Sequence, residues 1–325
     1  MTMGIRPYYA LDIDGTTIDT GPLVALRLRR EANGGIDALD VALDRRTTVV
    51  ATPEAAVSLT LGYDGDGETV FTGTVTETRD TLTEHRLQAL GAQWMLARLR
   101  PSETFLAQSA ADVVRALADA AGVAVARADA GERLARYHAD GALDGFEHAK
   151  RLARLAGVDL LATRDGELVF SAPRPAASAV RLVHGINLID ACAREVPPAQ
   201  TAFEVIPESA ASSDGVDAET WIVKKARDLA GSAGEGPSRR ISTALCTTRD
   251  AAGALAEALA AEAASHARRL DALVPGLPEI ELGDTVEVES MPEGRGDGTW
   301  LVWRIEHRLD TVAGFRTHLT MRTAP

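Results

Sequence analysis

Cysteine is almost missing from this chain: among 325 residues only Cys192 and Cys246 occur, too few and too far apart for a disulfide framework or a zinc knuckle. Each sits in an apolar or β-prone segment, so both are expected to be reduced, buried thiols. Aromatic residues are scarce as well, at 4%. No apolar run approaches the roughly 18 residues of a membrane-spanning helix. The start, MTMGIRPYYA, carries no apolar core of a secretory leader. The expectation is a chain made in the cytoplasm, with no membrane insertion of its own. Positive charge is also in deficit. With 34 Lys and Arg against 47 Asp and Glu the net charge is -13, the opposite of what gripping phosphates requires, which argues against sequence-specific nucleic-acid binding.

What is present is ordinary globular material. A hydrophobic share of 46% and a charged share of 25% support packed cores, and the length exceeds the roughly 100 to 200 residues of one domain, so two or three units are expected. Over residues 8–90 the hydrophobicity has period two. Leu11 and Ile13 alternate with Asp12 and Asp14, Val24, Leu26 and Leu28 alternate with Arg27 and Arg29, and a further arm covers 36–43. Turn formers at Asp14-Gly15, Asn33-Gly34-Gly35, Asp64-Gly65 and Arg79-Asp80 separate the runs. This is the grammar of short antiparallel strands with one wet face, and over residues 1–100 it suggests a sandwich or a barrel.

Residues 101–177 read as a small α+β unit. Ser109 followed by Asp112 starts one helix that stops at Gly122, and Asp144 followed by Glu147 starts another that stops at Gly157. A hairpin then turns at Arg164-Asp165-Gly166. After Pro173 and Pro175, strand patterns return at 180–189 and 201–206, and Ser- and Gly-rich stretches predict an exposed excursion over 207–240. An Ala-rich helix is expected over 249–269, then strands at 285–290, 300–309 and 315–323, giving a second β region over 178–325. In the penultimate strand Leu301, Trp303, Ile305, His307 and Leu309 are expected to share one face. The fold class is β-rich α+β. An internal echo joins the two β regions: VTETRDTLTEHR (75–86) and IEHRLDTVAGFR (305–316) both read as strand, Asp-Thr turn, strand.

One string invites chemistry. Asp12-Ile13-Asp14-Gly15-Thr16 resembles the D-x-D-G-T opening of the haloacid dehalogenase phosphatases. That resemblance implies Asp12 as nucleophile and Asp14 as acid, with Mg²⁺ between substrate and carboxylates. The surroundings oppose it. The entering strand is short and broken by Pro7, Gly21-Pro22 stands where a crossover helix is needed, and Gly283-Asp284 has no second Asp four residues on. Two turn carboxylates are the plainer reading. The seven histidines, His85, His138, His148, His184, His266, His307 and His318, form no H-E-x-x-H, and YDGDGET at 63–69 lacks calcium-loop spacing. No catalytic, cofactor-binding or metal-ligating residue is assigned, no cofactor is expected, and an enzyme is not. The Mg²⁺-dependent phosphatase on Asp12 and Asp14 is the alternative. A third reading is a β-rich binding module with a pocket at Trp221, Trp300 or Trp303.

The order of parts carries a second resemblance. QSAADVVRALADAAGV (108–123), GALDGFEHAKRLARLAGVDLLATRDGELVFSAP (141–173), LVHGINLIDACAREV (182–196), PGLPEIELGDTVEVES (275–290) and GTWLVWRIEHRLDTVAGFRTHLTMR (298–322) resemble, in this order, segments of the baseplate hub of contractile tails. That family includes phage late control protein D and the hub part of type VI valine-glycine repeat spike proteins. The resemblance implies two tube-protein-like antiparallel β-barrels flanking the small helix-and-hairpin domain. It implies a homotrimer whose six barrels adapt a hexameric tail tube to a trimeric spike and let cargo pass. The implied partners are the tail tube protein ring, a central spike protein and baseplate components. The barrels would face the tube; the middle domain and strand edges would face the spike or baseplate. No repetitive β-helix pattern follows the last strand in this sequence, so the spike is expected to be a separate protein. Phage, bacteriocin and injection system stay open, as do DNA and protein cargo.

Overall fold

The computed structural model describes residues 6–19, 21–47, 51–131, 133–173, 180–207, 227–243 and 245–323. The first β region is seven strands: β1 (Pro7–Ile13), β2 (Thr16–Ile18), β3 (Leu23–Glu31), β4 (Ala38–Asp44), β5 (Ala56–Tyr63), β6 (Asp66–Asp80) and β7 (Glu84–Leu90). In β1, β3 and β7 the alternation buries side chains two residues apart. Leu11, Leu28, Leu39, Leu59, Leu61 and Phe71 meet in one hydrophobic core that draws on all seven strands, so the sheet wraps round its own apolar face.

The middle unit comprises α1 (Gln93–Arg98), β8 (Glu103–Ser109), α2 (Ala110–Ala121), β9 (Val125–Ala128), β10 (Arg133–Ala139), α3 (Gly145–Ala156), β11 (Asp159–Ala162) and β12 (Leu168–Ser171). Both long helices start where the side-chain chemistry predicts. The Ser109 hydroxyl accepts from the Asp112 N–H while Asp112 accepts from the Ser109 N–H, a complete capping box. The Asp144 carboxylate accepts from the Glu147 N–H at 2.9 Å. Val113, Val114, Leu117, Leu152 and Phe170 pack into this unit's own core. The small helix α1 and the two-stranded pairing of β8 with β10 were not legible beforehand, because each is too short for a period to show.

The last region holds β13 (Val180–Val183), β14 (Asp190–Glu195), β15 (Ala202–Pro207), β16 (Gly231–Gly234), β17 (Ser238–Thr243), α4 (Arg249–Ser265), β18 (Arg268–Pro275), β19 (Thr285–Glu289), β20 (Gly298–Asp310) and β21 (Gly314–Arg322). Four expectations change here. The Ala-rich helix ends at Ser265, and residues 268–275 are a strand, not a helix end: Leu270, Ala272 and Val274 go inward with period two. The excursion expected over 207–240 falls partly on residues 208–226, with Trp221, which lie outside the described residues. Residues 231–243 are instead ordered strands on either side of β15. Cys192 is exposed on β14, whereas Cys246 is buried as expected. The alternation of β20 breaks at a bulge between Val302 and Arg304, so Leu301 and Val302 are both buried while Trp303 leaves the shared face. The helix α4 lies tight on the three-stranded sheet. A side chain at Gly231 would come within 2.1 Å of the Gly253 backbone nitrogen, a closeness that an Ala-rich helix permits.

The two β regions share one sheet with the order β14-β18-β21-β20-β3-β4-β7-β6-β5-β1-β2. Within it one topology occurs twice. The strands β3, β4, β5, β6 and β7 lie side by side as β3-β4-β7-β6-β5, and β14, β18, β19, β20 and β21 lie as β14-β18-β21-β20-β19, every pairing antiparallel. Each set therefore runs first, second, fifth, fourth, third. The bulges agree too. Val75 exchanges backbone hydrogen bonds with Glu54 and Ala55, Val302 does so with Gly283 and Asp284, and both precede the register shift of their strand. The duplication that the echo suggested is thus present in the topology but not in the echo's residue match: through the bulges Val75 meets Val302 rather than Ile305, Asp80 falls on His307, and the second hairpin is three rows longer. The lobes meet where β20 pairs with β3 over Arg304–Glu31 to Asp310–Ala25.

Candidate assembly interface

The D-I-D-G-T string builds a turn. Asp14 and Gly15, at φ 48 and 81, form the two-residue connection from β1 to β2, with Ile13 opposite Thr16. Both positions need positive φ, which Asp tolerates and Gly adopts freely. Asp12 accepts from the Gly15 N–H at 2.9 Å and from Thr17 Oγ1 at 3.1 Å. Asp14 accepts from the Ala56 N–H at 2.8 Å and donates its own N–H to the Ala56 carbonyl at 3.0 Å. Both neighbours of β1 are antiparallel, so Asp12 is not at the end of a buried parallel strand. Among the described residues no group of three or more His, Cys, Asp or Glu side chains could hold a metal ion.

The histidines are placed by ordinary partners. His148, fully buried, pairs Nδ1 with the Tyr137 hydroxyl at 2.8 Å and Nε2 with the Asp140 carbonyl at 2.9 Å. His307 faces Thr317 Oγ1 at 2.9 Å; burial, helped by Arg30 and Arg164, pushes its imidazole down to about 3. His266 stands edge-on to Trp303 at 5.0 Å, and His138 meets Thr104 at 2.9 Å. Of the tryptophans, Trp300 is buried with its indole N–H on the Gly296 carbonyl at 2.8 Å. Trp303 is flanked by Arg269 and Arg304. Asp64 and Gly65 make the two-residue hairpin tip of YDGDGET.

Buried charge clamps the three regions together. Arg30 follows Leu26 and Leu28 in the inward phase of β3 and is only 1% exposed. Its guanidinium donates to Glu281 at 3.2 and 3.0 Å and to the Ala162 carbonyl at 2.9 Å, and lies 3.5 Å from Asp37. Burial outweighs that attraction and lifts the Asp37 carboxyl to about 6. Glu281 also accepts from Arg164 at 2.5 Å. Nearby, Arg322 reaches both oxygens of Asp159, which also accepts from the Asn33 amide at 2.5 Å. None of these clusters was singled out from sequence. The signal for Arg30 was there: it continues the period-two phase of the leucines before it.

What remains open is edges and tips. Leu82, between β6 and β7, is 97% exposed, and Val312, between β20 and β21, is 95% exposed. Pairing carries one row from Asp310 to Ala25, Ala42, Arg86 and Arg79, so both hairpins point off the same end of the sheet. At one edge of the sheet, among the described residues, β14 has a partner only on its β18 side, and Ile186, Ile189 and Val196 beside it are exposed. Beyond Thr74, where its ladder with β5 ends, β6 is exposed at residues 77–80. Apolar knobs and unpaired strand edges serve to bind protein.

Comparison with known proteins agrees with an assembly role. The family model for the phage tail baseplate hub (GPD) matches residues 36–313. No curated protein matches the chain in sequence. Among solved structures it is similar to a 43 kDa tail protein of prophage MuSo2 from Shewanella oneidensis, with TM-score 0.74, 17% identity, and 97% of this chain and 98% of that one covered. A tail protein from Neisseria meningitidis gives TM-score 0.78 at 13% identity, covering 98% and 97%. An E. coli protein described as a component of the type VI secretion system, with structural similarity to bacteriophage T4 tail proteins, gives TM-score 0.64 at 10% identity, covering 96% of this chain and 76% of that one.

Proposed function

Because the chain belongs to the phage tail baseplate hub family, we propose that it is the trimeric, non-enzymatic ring that adapts a hexameric tail tube to a trimeric spike and lets cargo through. The observation that carries this reading is the repeated topology. One chain supplies two like lobes, so three chains supply six, and a ring of six meets a sixfold partner on one side while keeping threefold symmetry on the other. We assign residues 1–100 and 178–325 to the two lobes and 101–177 to the unit between them. The last hairpin serves both lobes, since Leu309 and Phe315 belong to the first core and Leu319 and Met321 to the last.

Three chains at -13 each give the assembly a net negative field, which favours keeping a DNA cargo from adhering. The tube ring, the central spike and other baseplate components are the partners, and the particle's baseplate is the place of work after synthesis in the cytoplasm. Light scattering of the purified protein, followed by binding to tube and spike proteins made from neighbouring genes, tests the reading. A trimer that binds both supports it. A stable monomer that binds neither overturns it.

A further inference from the structure

Among the described residues the duplicated topology leaves two strand edges unused, and each is the counterpart of an edge that is used inside the chain. In the second lobe the outer half of the fourth strand, β20, receives the first strand of the other lobe, β3. In the first lobe the fourth strand is β6, and beyond Thr74 no described strand lies on its side away from β7. In the second lobe the first strand is β14, and no described strand lies on its side away from β18. We infer that β6 of one chain receives β14 of the next, antiparallel, and that this junction repeats between chains the β20–β3 junction within a chain.

Burial supports the pairing of these two edges. Where β20 and β3 meet, Ile305, Glu306, His307, Leu28 and Arg30 are buried. At the matching positions of β6, residues 77–80 are exposed, and β14 is exposed at every position but Ala191. A strand exposed on both faces beside Ile189 and Val196 is a poor edge for a solitary chain. Both free edges carry mixed charge, with Glu77, Arg79 and Asp80 on one and Asp190, Arg194 and Glu195 on the other; Arg79 comes opposite Arg194, each beside its own carboxylate, Glu77 and Asp271, as Arg308 stands opposite Arg27 within the chain. Each edge differs from its own copy, which makes the contact head-to-tail. Such a contact either closes into a ring or runs on as a filament. The occupant of each edge is therefore a second copy of this chain.

The match also sets a register. Carried through the bulges, Glu77 corresponds to Arg304 and Cys192 to Arg27, each counted from its own row of the ladder. Arg308 pairs with Arg27 in the chain, and the position four residues beyond Glu77 is Thr81. The strand β6 ends at Asp80, and Thr81 opens the turn to β7 with its N–H and hydroxyl on the Glu84 carbonyl. The strands therefore pair over 77–80 against 193–196, and Cys192, exposed on β14, comes opposite that first turn residue, Thr81, of the neighbouring chain.

This assignment rests on the ring reading, and one experiment separates the two. The Thr81→Cys variant, with Asp80→Cys and Arg79→Cys as neighbours in register, is oxidised with diamide, which accepts the two electrons and two protons released as the Cys192 and introduced thiols form one disulfide. Products are separated without reductant beside light scattering of the same samples. The expected result is a trimer that gains inter-chain disulfides up to a closed three-chain species, lost when Cys192→Ser is added. Cross-linked ladders that continue past three chains keep the junction and overturn the trimeric ring. A trimer with no cross-link at any of the three positions keeps the ring and overturns this junction, and a monomer at all concentrations overturns both.

Discussion

Arg322 on β21 holds both carboxylate oxygens of Asp159, at 2.9 and 2.8 Å, and so fastens the last strand of the chain to the first strand of the central hairpin. Both side chains are almost fully enclosed. Asp159→Ala leaves a buried guanidinium without its partner and should cost about 3 kcal/mol or more, since breaking a buried pair from one side is far more damaging than replacing both members. Urea denaturation of Asp159→Ala, Arg322→Met and the double variant checks this, with the double variant expected to lose less than the sum of the single ones.

His307 makes stability fall in acid. Its imidazole titrates near 3 in the folded chain against an ordinary 6.5, so between those values the unfolded chain binds a proton that the folded chain refuses. The stability it contributes is complete above pH 6.5 and drains away as pH drops toward 3, by an upper bound of roughly 4 to 5 kcal/mol. His307→Gln should flatten that slope in a series of melting temperatures taken from pH 7 to 4.

Asp37 works in the opposite sense. Burial raises it from an ordinary 3.8 to about 6 despite Arg30, so the folded chain holds a proton there that the unfolded chain has lost. Its effect favours the folded state below about pH 4 and is lost as pH rises through 6. The two slopes partly cancel in the native chain, and Asp37→Asn should therefore make the acid-side loss of stability steeper than in the parent.

The carboxylates of the D-I-D-G-T string should matter to the turn alone. Asp12→Asn keeps an acceptor for the Gly15 N–H and is expected to leave trimer formation and melting temperature close to the parent. Asp14→Ala places a β-carbon without a helpful carboxylate at φ 48 and should cost about 1 to 2 kcal/mol. Hydrolysis of p-nitrophenyl phosphate with Mg²⁺, measured for the parent and Asp12→Asn, should show no rate that depends on Asp12. A rate abolished by that change would restore the phosphatase.

Leu82 and Val312 are solvent-exposed tips on like hairpins that leave the sheet at one end. Under the proposed function they contact successive subunits of the tube ring. Leu82→Asp with Val312→Asp should weaken co-purification of tube protein at least tenfold while shifting stability by less than about 0.5 kcal/mol, as surface changes do. Undiminished co-purification of the folded double variant would remove the tips from that role.

Much of the architecture could be read along the chain because it rests on local rules. Leu26 and Leu28 betray the inner face of β3, Ser109 and Asp144 announce α2 and α3, and the Asp-Thr hairpins advertise a duplication. The strand β18 was hidden behind the Ala-rich helix, where a short period-two run follows a long helical one without a turn former. The bulge at Trp303 was hidden as well, because a one-residue insertion depends on the partner strand. Arg30 escaped notice since a cation in an apolar phase becomes meaningful only once Glu281, some 250 residues away in sequence, is seen against it.

The amino-acid pattern alone determined the β-rich class, the helix starts, the two-residue turns and the acidic surface, all of which follow from spacing, capping and composition within a few residues. Only the tertiary structure decided that the two β regions share a sheet through β20 and β3, that Asp12 and Asp14 are spent on a turn, and which strand edges stay open. Those are long-range pairings, whose partners are chosen by where distant backbone groups find their hydrogen bonds, and no local stretch of sequence carries that information.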